Sequence, residues 1–232
     1  MIIRIECKSA YSVAYIFLTM GEQVHLESGA LLAFSSGITA RPGTSGGVVK
    51  AAFRKVLAQE KFFMTKFESE VDGAWVCATS KYPGDMSIIH LDQEGSVMLQ
   101  SGSLVAVEPT VEINVRYAGI DNIILREGAT TVEATGTGQV IISSYGAIQE
   151  YPINVGESVV IDTGHIVAWT DNLEMHVGTL GSIATAVTSG EGMVARYTAT
   201  NTPGKVWIQT RSEDQLKSWV LPGRSQNEKL GN

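Results

Sequence analysis

The chain has 232 residues, a formal net charge of −7, 44% aliphatic and aromatic residues and only 18% charged ones, so it can bury a sizeable core and is too apolar for a disordered chain. An acidic molecule is repelled by nucleic acid and anionic lipid unless its basic residues are segregated. Cys7 and Cys77 stand alone within strand-like runs, which reads as two buried thiols in a reducing compartment rather than a disulfide framework or a zinc site.

Residues 2–8 alternate apolar and polar, and 11–18 form a second β-rich run, within the apolar stretch 10–20 (AYSVAYIFLTM). That run is too short to span a bilayer, has Arg4, Glu6 and Lys8 ahead of it and lacks a small-residue cleavage site, so it reads as a strand, and a cytoplasmic protein is expected.

A phrase then occurs three times without a gap: residues 24–34 (VHLESGALLAF), 97–107 (VMLQSGSLVAV) and 159–169 (VVIDTGHIVAW). Each reads as a strand, a polar pair, a glycine, and a second apolar strand. Glycine takes positive φ without a Cβ penalty and a short oxygen-bearing side chain can hold turn amides, so the phrase predicts two strands joined at a tight corner. Glu27, Gln100 and Asp162 occupy one position of the phrase, and Gly29, Gly102 and Gly164 another. The entrances are alike too, Gly21-Glu22-Gln23, Glu94-Gly95-Ser96 and Gly156-Glu157-Ser158. Repeats this widely spaced imply modules of several strands each.

The first module carries an insertion. After the glycine-rich loop at 41–47, apolar residues at 49, 52, 53, 56 and 57 recur at helical spacing, predicting an amphipathic helix within 47–58. Between Arg41 and Lys61 there are five basic residues and one acid, and four of the six phenylalanines, Phe53, Phe62, Phe63 and Phe67, fall in this helix or just after it. Each module then closes on two strand-like runs, at 62–67 and 73–78, at 128–134 and 138–142, and at 192–197 and 204–209, which predicts a hairpin-like pair each time. From Ser212 a capping residue and early acids predict a short helix before Pro222 and a frayed end. The expected organisation is one all-β structural domain: module one over 1–84 with its helical insertion at 47–58, module two over 85–147, module three over 148–211, and a C-terminal helix and tail over 212–232.

Four stretches carry a family resemblance: Gly-Gly, basic helix and Phe-Phe-Met across 46–64; Pro83-Gly84 leading to Ile88; Thr163 to Trp169; and Gln209-Thr210-Arg211-Ser212. Together they resemble the family named for altered inheritance of mitochondria, the mitochondrial biogenesis proteins, over nearly the whole chain. The sequence differs from it at Gln59-Glu60-Lys61, where relatives show a Gly-Glu-Ser type of turn. The resemblance implies a fold like the tryptophan RNA-binding attenuation protein, with double-stranded β-helix or β-sandwich modules in a pseudo-threefold repeat. It implies no established enzymatic activity, and mitochondrial relatives are associated with inner-membrane organisation.

Candidate chemistry is thin. The histidines at 25, 90, 165 and 176 lack the close pairing that puts two imidazoles on one metal, so no metal and no cofactor is expected. Glu27, Gln100 and Asp162 could meet near a common axis, but one is an amide, and each is better read as accepting backbone hydrogen bonds at its own corner. There is no Gly-x-Ser-x-Gly elbow, and the loop at 43–47 lacks the Gly-Lys-Ser/Thr ending of a phosphate-binding loop. Basic residues gathered in one helix do not make the extended groove that single-stranded RNA requires. That helix has a plain reading, an apolar face plugging an open end of the β core beneath solvated charges. Its functional reading is a surface for an acidic partner or a membrane, with Lys50, Arg54 and Lys55 as the charges and Phe53, Phe62 and Phe63 as anchors. The sequence therefore points to a non-catalytic scaffold or interaction protein, self-associating as a homo-oligomer or binding a protein partner, with a membrane surface as a further partner and no nucleic acid. The alternative is a small-molecule- or metal-binding β-helix enzyme.

Overall fold

The computed structural model describes residues 1–42, 64–116, 131–179 and 193–220. The expected helix at 47–58, with Lys50, Phe53, Arg54, Lys55, Phe62 and Phe63, lies outside the described residues.

Within them the chain is all-β. The first module supplies β1 (Ile2–Glu6), β2 (Val13–Leu18), β3 (Gln23–Glu27), β4 (Leu31–Phe34), β5 (Ile38–Pro42), β6 (Met64–Ser69) and β7 (Ala74–Thr79). The second supplies β8 (Met86–His90), β9 (Val97–Gln100), β10 (Leu104–Val107), β11 (Val111–Arg116), β12 (Thr131–Gly136) and β13 (Gln139–Ser143). The third supplies β14 (Ile148–Ile153), β15 (Ser158–Asp162), β16 (Ile166–Thr170), β17 (Glu174–Thr179), β18 (Met193–Thr198) and β19 (Gly204–Gln209). A helical turn at Leu91–Glu94, a 3-10 turn at Thr163–His165 and a C-terminal helix at Glu213–Val220 complete the described elements. Ser212 opens that last helix, its Oγ accepting from the Gln215 amide at 3.4 Å.

Alternation makes the strands. In β2, Ala14, Ile16 and Leu18 are buried while Val13, Tyr15 and Phe17 are less so, and β3 buries Val24 and Leu26 in the same way. At Gly29 and Gly102 the chain turns with φ of +89° and +84°, conformations that favour glycine.

Each corner moves the chain from one sheet into another. The described residues form four sheets, in the orders β1-β2-β7-β4, β5-β6-β3-β10-β13-β8, β11-β12-β9-β16-β19-β14 and β15-β18-β17. Each six-stranded sheet is half from one module and half from the next, joined where β3 meets β10 and where β9 meets β16. The register is the same at both joints: Ala106 lies opposite Leu26 as Ala168 lies opposite Leu99. A register shift also recurs, between Leu31 and Ala33, Leu104 and Ala106, and Ile166 and Ala168.

The expected terminal hairpins are corrected. β6 and β7 lie in different sheets, as do β12 and β13, and β18 and β19. Both edges of each strand are already occupied, β6 by β5 and β3 and β7 by β2 and β4, so neither has an edge left for the other. The three pairs of strands therefore connect sheets. Cys7 is a second correction. It sits beyond β1 at φ +55° and is exposed, because the chain leaves the strand at Glu6, whereas Cys77 is buried as expected.

Among the described residues, three apolar clusters fill the spaces between sheets. One joins Ile16, Leu26 and Phe67 of the first module to Val105, Ala106 and Ile141 of the second. Another joins Leu99, Val132 and Ile142 of the second to Val167, Ala168 and Trp207 of the third, and the last gathers Ile161, Trp169, Tyr197 and Val206. Shared cores and shared sheets make the modules interdependent, so burial rather than linker length fixes their arrangement.

Candidate functional site

The corner residues do not play one common role. Asp162 Oδ1 accepts from the Gly164 amide at 2.7 Å, holding the 3-10 turn of the third corner as expected. Glu27 and Gln100 are one methylene longer and lie elsewhere: their corners are closed by backbone, with the Ala30 amide donating to the Glu27 carbonyl at 3.0 Å and the Ser103 amide to the Gln100 carbonyl at 3.1 Å. Gln100 Oε1 is buried without a hydrogen-bond partner. The three side chains are not gathered at one point either, since Glu27 faces the second corner across a cavity whose walls do not include Asp162.

That cavity is about 380 Å³ and lies where the first and second modules meet. Its walls are the first corner from Glu27 to Ala30, the second corner at Ser101 and Gly102, the ends of β7 and β13 at Thr79 to Lys81 and at Ser143, and the start of β10. Burial pushes the Glu27 carboxyl up to about 7, with Lys81 pulling the other way. The cavity thus holds a carboxyl raised well above the usual carboxylate range, the Lys81 side chain and several hydroxyls, a lining that can hydrogen-bond a small polar molecule. No histidine stands among its lining residues to activate a serine.

The corresponding place between the second and third modules is occupied. Ile142 lies opposite Leu104 and Ile208 opposite Ile166, so the next residues, Ser143 and Gln209, hold the same position at the ends of β13 and β19. Gln209 Nε2 donates to the Gly164 carbonyl at 3.0 Å while its Oε1 accepts from the Tyr145 amide at 2.9 Å, bridging the seam. Ser143 is too short to do so, its Oγ reaching only the Ser103 carbonyl of its own corner, at 3.4 Å. A serine in place of a glutamine leaves the cavity open.

A polar ladder links the starts of the modules. The Ser12 amide donates to the Gly84 carbonyl at 3.0 Å, the Asp85 amide to the Gly146 carbonyl at 2.8 Å, and the Arg211 amide to the Tyr145 carbonyl at 3.2 Å. Buried Asp85 accepts from Ser12 Oγ at 2.9 Å and from the Met86 amide at 2.8 Å. Gly84 packs so closely that a Cβ there would lie 1.8 Å from the Ser144 carbonyl oxygen. Pro83-Gly84 and Gln209-Thr210-Arg211, distant in sequence, thus belong to one structural feature.

The histidines stay apart in role. Burial and then Lys66 lower the pKa of His25, and the His165 ring meets the Gln209 carbonyl at 2.7 Å through Nδ1. Among the described residues no cluster of three His, Cys, Asp or Glu side chains is placed to hold a metal. Sequence reasoning missed the cavity because Lys81 and Ser143 reach Glu27 only through strand pairing, and nothing in their local sequence marks them.

The family model described as mitochondrial biogenesis AIM24 matches residues 3–211, spanning all three corners and both seams. The chain belongs to the AIM24 family. A relative, the uncharacterized protein M6_Spy0233 of Streptococcus pyogenes serotype M6, is 22% identical over 220 residues, covering 91% of this chain and 86% of its own. The crystal structure of protein SPYM3_0169 from Streptococcus pyogenes superposes with a TM-score of 0.75 at 20% identity, covering 94% of this chain and 97% of that one. At that identity the likeness establishes the AIM24 chain's fold and nothing of its role. The family match ends at Arg211, immediately before the C-terminal helix.

Proposed function

We propose that this chain is a non-catalytic scaffold that acts by association, with copies of itself or with a protein partner, in the cytoplasm and without a cofactor. The observation that carries the reading is strand β4, where Leu31, Leu32 and Phe34 form an exposed apolar strip on an outer edge that has no strand partner among the described residues. Exposed apolar strips of this kind mark association surfaces. Native mass spectrometry of the untagged full-length chain from its own cells is the test: a defined assembly, or the chain with a stoichiometric protein partner, supports the reading, and single bare chains at every concentration overturn it.

The cavity beside Glu27 favours a second reading, binding of a small polar molecule, and the same spectrum would carry it as a reproducible mass excess. The basic segment at 47–58 is proposed on sequence alone as a surface for an acidic partner or a membrane. Reversing the charges of Lys50, Arg54 and Lys55 should then abolish capture by that partner or by anionic liposomes without unfolding the chain, and unchanged capture would count against it. No helix among the described residues is long and apolar enough to cross a membrane.

A further inference from the structure

Among the described residues, the sheets show an interface that is made twice and left unmade once. β10 lies between β13 and β3, and β16 between β19 and β9, so in both six-stranded sheets the strand after a corner is covered by the strand before the preceding module's corner. β4 is the strand after the first corner. It pairs with β7 on one side and, among the described residues, ends its sheet on the other. β15 is the strand before the third corner, and it likewise pairs with β18 and ends its sheet. The two open edges are the two halves of the missing third joint.

Burial shows what the missing strand leaves uncovered. All four residues of β10 and all five of β16 are buried, whereas all four of β4 are exposed: Leu31 is 40% exposed, Leu32 56% and Phe34 44%. Their counterparts in the second phrase, Leu104, Val105 and Val107, are each 2% exposed or less. On β15, Val160 is 41% exposed, while its counterpart Met98 is partly buried against the third cluster.

The other sheet ends are protected in ways that β4 is not. β1 carries Arg4 and Glu6, β5 Arg41 and Pro42, β11 Glu112 and Arg116, β14 Glu150 and Pro152, β17 Glu174 and His176, and β8 ends on His90. Charges and prolines on an edge discourage a further strand. β4 is Leu-Leu-Ala-Phe, with neither. The polar ladder at the module starts is open in the same sense, running from Ser12 through Gly84 and Gly146 to Arg211, with no bond from Arg211 back to Ser12.

We propose that a second copy of this chain completes the joint, its β15 adding antiparallel to β4. This rests on the self-association reading above and specifies its geometry. Continuing the register of the two existing joints puts Ala33 opposite the second copy's Ile161 and Phe34 opposite its Val160. The result is one continuous sheet, β17-β18-β15 of one copy joined to β4-β7-β2-β1 of the other, built like the two six-stranded sheets within the chain. The contact is head-to-tail, so copies close into a ring if the rotation allows and otherwise extend as a filament.

Paired cysteines test the register. In a Cys7→Ser background, Phe34→Cys chains are mixed with Val160→Cys chains and oxidised, with a mixture of Phe34→Cys and Ile2→Cys chains as the control. Opposed residues in an antiparallel pair lie within disulfide reach. The expected result is a mixed cross-linked dimer in the first mixture far in excess of the control. In parallel, Phe34→Lys should reduce the native assembly to single chains of 24.9 kDa with an unchanged near-ultraviolet circular dichroism spectrum. An assembly that persists in Phe34→Lys and shows no excess cross-link overturns the edge joint but leaves the scaffold reading standing. A cross-link in the first mixture no greater than in the control also overturns the joint, and wild-type single chains with no bound partner overturn both.

Discussion

Glu27 should make the stability of this protein depend on pH in a direction that can be worked out in advance. Its carboxyl is raised from an ordinary 4.5 to about 7, chiefly by burial, so between those values the folded chain keeps a proton that the unfolded chain releases. The stabilisation from this retained proton is fully present below pH 4.5, is lost as pH rises through 7 and is absent above. Glu27→Gln cannot ionise and has no such loss. A shift of this size corresponds to about 3 kcal/mol at most, and screening of a carboxyl that still touches solvent reduces it to roughly 1–2 kcal/mol. Urea unfolding followed by tryptophan fluorescence, run from about pH 5 to about pH 9, reads the effect directly. The stability of Glu27→Gln minus that of wild type should rise by that amount across the range. Lys81→Met, which removes the opposing ammonium, should move the wild-type transition to higher pH. Two stability curves that stay parallel from one end to the other would refute the reasoning.

Three further substitutions test other parts of the fold. Gly84→Ala places a methyl 1.8 Å from the Ser144 carbonyl oxygen, so it should lower unfolding stability by about 3 kcal/mol or more; a loss below about 1 kcal/mol would mean that the polar ladder is not tight there. Arg116 holds buried Glu133 with two hydrogen bonds of 2.9 and 2.8 Å, so Arg116→Met should cost roughly 2–3 kcal/mol in chemical denaturation, and adding Glu133→Gln should recover much of it. Tyr197 keeps a buried hydroxyl without a hydrogen-bond partner, so Tyr197→Phe should be neutral or stabilising by about 1 kcal/mol, and a loss of 2 kcal/mol or more would show that a partner exists.

The corners were legible in the sequence because turn chemistry is local: Gly29 and Gly102 take positive φ, and Asp162 holds the amide two residues on. The strands were legible because alternation is local too. The sheet to which each strand belongs was not, since 73–78 and 204–209 read as the return arms of hairpins while the chain puts β7 and β19 in different sheets from β6 and β18. A strand's pattern shows which faces are buried and says nothing of which neighbour occupies each edge. The same limit hid the difference between β4 and β10: both are short apolar runs after a glycine corner, yet one is exposed and the other buried because β3 covers only the latter. Cys7 shows the limit at an element's end, where alternation continues in the sequence for a residue after the strand has stopped. The candidate cavity was least legible, being made of side chains from four separate strand ends.

Differences between corresponding positions separate what the fold needs from what it merely allows. At the seam between the second and third modules, the amide Gln100 stands where the first seam has Glu27, and Gln209, which stands where it has Ser143, bridges Gly164 and Tyr145. The seam between the first and second modules forms the same kind of strand joint, with β3 against β10, while carrying Glu27 and Ser143 in those places. The joint therefore does not require an ionisable corner residue or an open space. Burying a carboxyl with no hydrogen-bond partner among the described residues is unfavourable, and a polar cavity gives up side-chain packing, so neither feature is explained by stability. Together they put a titrating group, an ammonium and four serines around one space of about 380 Å³. This pairing of local destabilisation with convergent polar chemistry supports small-molecule binding as the second reading alongside the scaffold.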